Sequence, residues 1–245
     1  MTRGRKGTER TIRPLTISHK IYLGLVLFLF LAKVAAFFLP VHFLIPSQKA
    51  AFDWKYVIGS ALLGWLGLKL SEKTGFPEIW GSGVSSMQRL LIPCLLGLGL
   101  GVGTILADRI FHISQIYAAL LELPSIHIEF PSSLLLYAYG AVVSEIWFRL
   151  FPLPLSVWLI STLLLRNRRQ AEVFRVVAIV ASLVEPLQQT APMKAYPGAM
   201  GMTFAVAYAA NLTGAHLFRR FGFLAALLLR LSHYLVWHII GAGFL

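Results

Sequence analysis

Glu145 and Arg149 stand in the middle of a long apolar run, Pro131 to Arg169, PSSLLLYAYGAVVSEIWFRLFPLPLSVWLISTLLLRNRR. Four residues apart on a helix, a carboxylate and a guanidinium share one face and can pair. Ions in hydrocarbon cost several kcal/mol even on gentle scales, so they are paired or functional. Two chemistries are open to this pair. It can be a buried structural salt bridge. Alternatively, Glu145 can act as a general base toward water if burial raises its pKa. Arg149 opposes the second role, because a guanidinium one turn away stabilises the carboxylate as an inert anion. Candidate histidines lie in the last apolar run, FRRFGFLAALLLRLSHYLVWH, where Arg230 is followed by His233, Tyr234 and His238. A third stretch, SLVEPLQQ, brings Glu185 with Gln188 and Gln189.

The elements that must position these residues are apolar throughout. The 245-residue chain is 57% hydrophobic and 13% charged, with a mean hydropathy of +0.72. Runs of membrane-spanning length recur, which places the chain among all-α, polytopic helical membrane proteins. The alternating ten-residue strands of a transmembrane barrel are not visible. Cys94 is the sole cysteine, so an intramolecular disulfide or a cysteine-rich metal site is excluded. No cofactor is expected. The net charge of +12 arises from bases at the ends of apolar runs. That pattern fits membrane lipid head groups and orientation rather than nucleic acid.

Residues 1–20 read as a basic cytosolic tail, residues 21–89 as two N-terminal membrane helices, and residues 90–245 as a helical membrane core. The spans expected are Ile21 to Ile45 (interrupted by Lys33 and kinked at Pro40), Trp54 to Leu70, and Leu90 to Phe111. The second carries Gly59, Gly64 and Gly67 as a close-packing edge. The third carries Gly97, Gly99, Gly101 and Gly103, expected to pack against more than one neighbour. The link 71–89 reads as a loop. His112 to Phe130 reads as an interfacial helix broken at Pro124. Its His112, Glu122, His127 and Glu129 match no compact metal motif.

Charge decides how often 131–165 crosses. With one kinked crossing and a cytosolic N-terminus, fifteen Lys and Arg fall on the cytosolic side and four on the other. With two crossings the split is ten to nine. The positive-inside rule favours one crossing and seven spans, the last three being Val173 to Gln189, Pro197 to Leu217 and Gly222 to Leu245. Helical rise then puts Glu145 about 21 Å in from Pro131, Glu185 roughly 15 Å and Arg230 roughly 16 Å from the cytosolic side. Glu145, Arg149, Glu185 and Arg230 are thus expected in one buried cluster, neutral in sum, with Ser144, Gln188, Gln189, His233 and Tyr234 nearby.

These residues and their order resemble the CAAX protease and bacteriocin-processing (CPBP, or Abi) family of glutamate-dependent intramembrane proteases. Ser144-Glu145-Ile146-Trp147-Phe148-Arg149 is similar to the family's EExxxR motif, with serine first. The glycine-rich span ending in Asp108-Arg109 resembles the family's earlier core helix. SLVEPLQQ aligns with FxxxH, placing Val184 or Glu185 at the Phe and Gln188 or Gln189 at the His. The last span aligns with HxxxN/D, Arg230 falling on or beside the His and Tyr234 or Leu235 on the Asn/Asp. The resemblance covers about 90–245. It implies Glu145, Arg149, His233 and His238 as the catalytic candidates. Ser144 occupies the place of the water-activating glutamate, which implies a core turned from chemistry to structure.

Three functions follow as expectations. One is a silent family member that scaffolds other membrane proteins as an accessory subunit. Another is an intramembrane endopeptidase built on Glu145 with His233 or His238, cleaving membrane or prenylated proteins. The third is a path for ions or a small solute, which lacks any visible inverted repeat. The expected location is a bacterial inner (plasma) membrane.

Overall fold

The computed structural model describes residues 16–38, 41, 43 and 46–243. Most of the basic tail, the Pro40 kink and the end of the first expected span lie outside the described residues.

The described chain is all-helical. Helix α1 is Ile17–Phe38, α2 is the short Pro46–Ala51, and α3 is Trp54–Lys73. A π-helical turn, Met87–Leu91, leads into α4, Ile92–Phe111, and α5 is Ile113–Leu120. Helix α6, Ser132–Glu145, continues through a π-helical turn at Ile146–Leu150, α7 at Pro152–Val157 and a second π stretch at Trp158–Leu164. Helices α8, Gln170–Ala181, and α9, Val184–Thr190, precede the long α10, Pro197–Phe221. Finally α11, Phe223–Tyr234, runs on as π helix through Leu235–Ile240.

Four of these runs are long and apolar enough to cross a membrane: Ile17–Phe38, Met87–Phe111, Ser132–Leu164 and Phe223–Gly243. Burial has the polarity of a protein solvated by lipid. Phe37, Ile110 and Leu164 are 84%, 70% and 74% exposed, while Glu145 is 0% exposed. Apolar surface outside and ions inside is the arrangement a hydrocarbon solvent selects.

Several expectations are refined. The stretch 131–165 is one helical rod, and Pro152 sits at the first position of α7, where a missing N–H costs nothing. The stretch 173–189 is two pieces, since α8 ends at Ala181 and α9 starts at Val184. The interfacial helix stops at Leu120, ahead of Pro124. The loop 71–89 is partly interior: Phe76 and Ile79 are buried. Arg219 donates to the Thr74 carbonyl at 2.6 Å and lies over the Phe76 ring. Arg89 donates to the Gly81 carbonyl at 2.7 Å and lies over Trp80. Two bases counted toward orientation therefore also fasten this loop.

The small-residue edge of α3 behaves as expected. A Cβ on Gly59 would come within 2.8 Å of the Trp147 ring, and Cβ atoms on Gly64 and Gly67 would strike the Tyr22 hydroxyl and the Leu150 carbonyl. Tyr22 in turn donates to the Ser60 carbonyl at 2.6 Å. Lipid gives helices no hydrophobic reason to associate, so such close backbone packing is what holds them. The α4 glycines divide differently from expectation. Cβ atoms on Gly97 and Gly101 would meet the Leu229 carbonyl and the Val236 side chain of the last helix. Gly99 and Gly103 have nothing within 4 Å. One face of α4 is a seam, and the other is open. At the joint between α10 and α11, Gly222 takes φ +92°, a backbone conformation that disfavours any side chain.

The seam makes a paired prediction. Gly97→Ala should overpack α4 on α11 and destabilise by about 1–3 kcal/mol. Gly99→Ala should be neutral or gain up to about 1 kcal/mol from helix propensity. Thermal unfolding of both variants in detergent micelles measures the contrast.

Candidate functional site

The long helix supplies Glu145 and Arg149, α9 supplies Glu185, α10 supplies Asn211, and α11 supplies Arg230 and Tyr234. Arg149 follows Glu145 within the π-helical turn and pairs with its Oε1. Arg230 donates from Nε to the same oxygen at 2.5 Å. Its two terminal nitrogens grip Glu185 in a fork, each at 2.7 Å. Such bidentate, charge-assisted bonds are the strong ones. Asn211 Oδ1 bridges the guanidiniums, accepting from Arg149 Nη2 at 2.6 Å and from Arg230 Nη2 at 3.5 Å. Its own amide donates to the Ala207 carbonyl at 2.9 Å, which fixes the side chain's orientation. Arg230 also donates to the Tyr234 hydroxyl at 3.0 Å. Room for Arg149 comes from Gly214, where a Cβ would sit 2.8 Å from the guanidinium.

All four ions are buried, and the sum of their charges is zero. The set satisfies nearly every donor and acceptor it contains. The exception is Glu145 Oε2, which is buried without a protein partner.

The cluster floors a cavity of about 320 Å³. Apolar side chains of α4, α5, α10 and the last helix form most of its walls, among them Leu100, Ile113, Val206 and Leu229. The polar lining is the ion cluster plus Thr104, Thr203, Gln189 and five aromatic or imidazole groups at Tyr117, Tyr137, His233, Trp237 and His238. His233 Nε2 is 2.9 Å from Thr104 Oγ1, and its ring stacks on Trp237. His238 stacks on Tyr137 at 4.2 Å and faces His127, Nδ1 to Nδ1, at 3.3 Å. Beyond His127 the bonds continue to Ser114 Oγ at 3.2 Å and from the Ser114 hydroxyl to Asp108.

Measured against the sequence, the four ions do come together, and Tyr234 joins them. Gln189 reaches Glu185 at 3.5 Å. Two expected members do not join. Gln188 is exposed and does not line the cavity, because it lies one residue off the inward face that Glu185 and Gln189 share at i and i+4. Ser144 is half-buried, one position before the inward-facing Glu145, and does not line the cavity either. His233 and His238 line the same cavity as Glu145, but their hydrogen bonds go to Thr104 and His127. The arrangement is stable electrostatics with one spare acceptor, set beneath an apolar chamber.

Asn211, Thr104 and the Asp108–Ser114–His127 chain were not anticipated. Asn211 had a signal, being a lone amide in a Gly- and Ala-rich helix that can be placed by the same cost argument as the ions. The other groups become legible only when α4, α5 and the loop before α6 fold onto the last helix.

The cluster's energetics are testable through Arg230. Arg230→Met leaves Glu185 a buried carboxylate without its cation and should destabilise by about 3–5 kcal/mol. Adding Glu185→Met should recover more than half of that, since Glu145 keeps Arg149. Unfolding of the two single variants and the double variant gives the coupling. A pH dependence follows from His127. Burial pushes its pKa below the usual imidazole value, with Asp108 acting the other way. The unfolded chain then takes up the proton first, so this contribution is complete above pH about 6.5 and is lost as pH falls through the native value. His127→Gln should flatten the acid limb of stability against pH.

Comparisons with protein-family models, with curated proteins and with solved structures find no match to this chain, so its function must be read from the geometry of the site.

Proposed function

We propose that this chain is a CPBP-like membrane protein that keeps the family's chamber without its hydrolytic chemistry, serving as a scaffold or accessory subunit for other membrane proteins. On this reading the core 90–245 is CPBP-like, and the chain crosses a bacterial plasma membrane seven times from a cytosolic N-terminus. The observation that carries it is the commitment of both carboxylates: Glu145 Oε1 binds Arg149 and Arg230, and Glu185 binds Arg230 through both oxygens. A water-activating carboxylate needs a proton acceptor free to change its charge. Here every such change leaves a buried guanidinium short of its counter-ion.

One observation favours a second reading as an intramembrane endopeptidase. Glu145 Oε2 has no protein partner, and Glu145 lines the same cavity as His233 and His238. That oxygen is where a water would be held.

Purified protein offered membrane-embedded and prenylated peptides should leave them intact. Glu145→Gln should leave the set of membrane proteins that co-purify with the chain unchanged, provided the variant retains its fold by circular dichroism. Cleavage that disappears in Glu145→Gln would establish the endopeptidase and remove the scaffold reading.

A further inference from the structure

On one side the cavity is walled by short pieces rather than by a long helix. Helix α5 and the connection 121–130 bring Ile113, Tyr117, Leu121, Leu123 and Ile126 to its lining. The connection has two faces. His127 and Ile128 are buried, whereas Glu122, Pro124, Glu129 and Phe130 are exposed. Beyond Leu123 and before Glu129 it holds no helix, and two of its residues hydrogen-bond the rest of the described protein. The Ile128 N–H donates to the Tyr137 hydroxyl at 3.1 Å. The His127 ring bonds Ser114 on one side and His238 on the other.

Asp108 fixes where the protons lie along that chain. A carboxylate only accepts, so Ser114 gives its hydroxyl hydrogen to Asp108. The Ser114 oxygen is then the acceptor for His127, which carries its proton on Nε2. His127 Nδ1 is left bare, and His238 supplies the Nδ1 hydrogen across the 3.3 Å contact. One added proton leaves this contact intact, because His238 Nε2 is still bare. Two added protons break it. Both Nδ1 atoms then carry hydrogen and confront each other with like charges.

Little surrounds the pair that could neutralise a second charge. His127 faces Asp108 from α4, Ser114 from α5, and Trp237 with His238 from the last helix. His238 faces His127, Tyr137 from α6, and His233, Tyr234 and Trp237 along its own helix. Asp108 is the one carboxylate in this set. Glu122 and Glu129 are on the exposed face of the connection, and the ions on the cavity floor are committed to one another.

We infer that residues 121–130 form a proton-operated strap over the cavity, latched while His127 and His238 share one Nδ1 hydrogen and released by acid when both imidazoles become charged. This goes beyond the proposed function and holds whether the chain scaffolds or hydrolyses. The sign follows from linkage. Imidazoles freed from the contact titrate near pH 6.5. The released strap takes up two protons where the latched one holds one at most, so falling pH favours release. Between pH 7.5 and 5.5 the released population rises about tenfold if the latched pair holds one proton, and about a hundredfold if it holds none.

The test is amide hydrogen exchange of the full-length protein in detergent micelles at pH 7.5 and 5.5, read by mass spectrometry and corrected for the intrinsic effect of pH on exchange. Protection of the peptide covering 121–130 should fall about tenfold or more at pH 5.5, while that of α10 stays unchanged. The double variant His127→Gln, His238→Gln has no latch proton to gain. Its strap should show the same protection at both pH values to within about twofold, with circular dichroism like that of the parent. An unchanged strap in the parent protein would overturn the inference. So would an equal loss of protection in α10, which is general acid unfolding, or a pH response that persists in the double variant. If the double variant does not fold, the contrast between strap and α10 in the parent decides alone. None of these failures touches the scaffold reading, which cleavage and co-purification test separately.

Discussion

Two guanidiniums and two carboxylates cancel one another where no water can do it for them. The rest of the fold is arranged to make that cancellation possible. Arg230 is the hub, since it holds Glu145 with one nitrogen and Glu185 with two. Those partners arrive on separate helices, and Asn211 from α10 spans both cations. The network therefore ties four elements that have little apolar incentive to meet in lipid. Its value is asymmetric. An intact buried ion set adds modest stability over an apolar replacement, whereas a broken one strands a charge. Selection on such a set acts through the penalty for losing one member.

Close packing does the complementary work. Gly97 and Gly101 bring α4 against the last helix, and Gly64 and Gly67 bring α3 under Tyr22 and Leu150. Gly214 withholds a side chain so that Arg149 can lie flat beside α10. Where glycines do not meet a neighbour, at Gly99 and Gly103, the surface is hollow. Filled and unfilled glycines on one helix thus separate the seam that stabilises the bundle from the groove that borders its chamber.

Much of this was readable in the residues. The cost of an ion in hydrocarbon singled out Glu145, Arg149, Glu185 and Arg230, and depth counted along the helices brought Glu185 and Arg230 to similar levels. Spacing of four placed Arg149 with Glu145 and Gln189 with Glu185. What was not readable depends on tertiary contact or on fine helical geometry. The π-helical turns at Ile146–Leu150 and Leu235–Ile240 carry no plain sequence signature, yet they aim Arg149 and His238. The break between Ala181 and Val184 lies in an apolar run with no proline before it. Which α4 glycines are buried depends on where the last helix lands. His127 was visible only as an unconvincing metal ligand, because its neighbours Ser114 and His238 come from distant parts of the chain.

The rod Ser132–Leu164 has 33 residues. At the helical rise it is close to 50 Å long, against a hydrocarbon slab near 30 Å. It must lean, protrude or thicken the leaflet around it, and each adjustment costs a fraction of a kcal/mol per ångström of misfit. Glu145 is carried on this rod, so bilayer thickness sets the level at which the rod offers its carboxylate to the other three helices. Thin and thick membranes would thus load the same charge network differently, giving lipid composition a mechanical grip on the protein's centre.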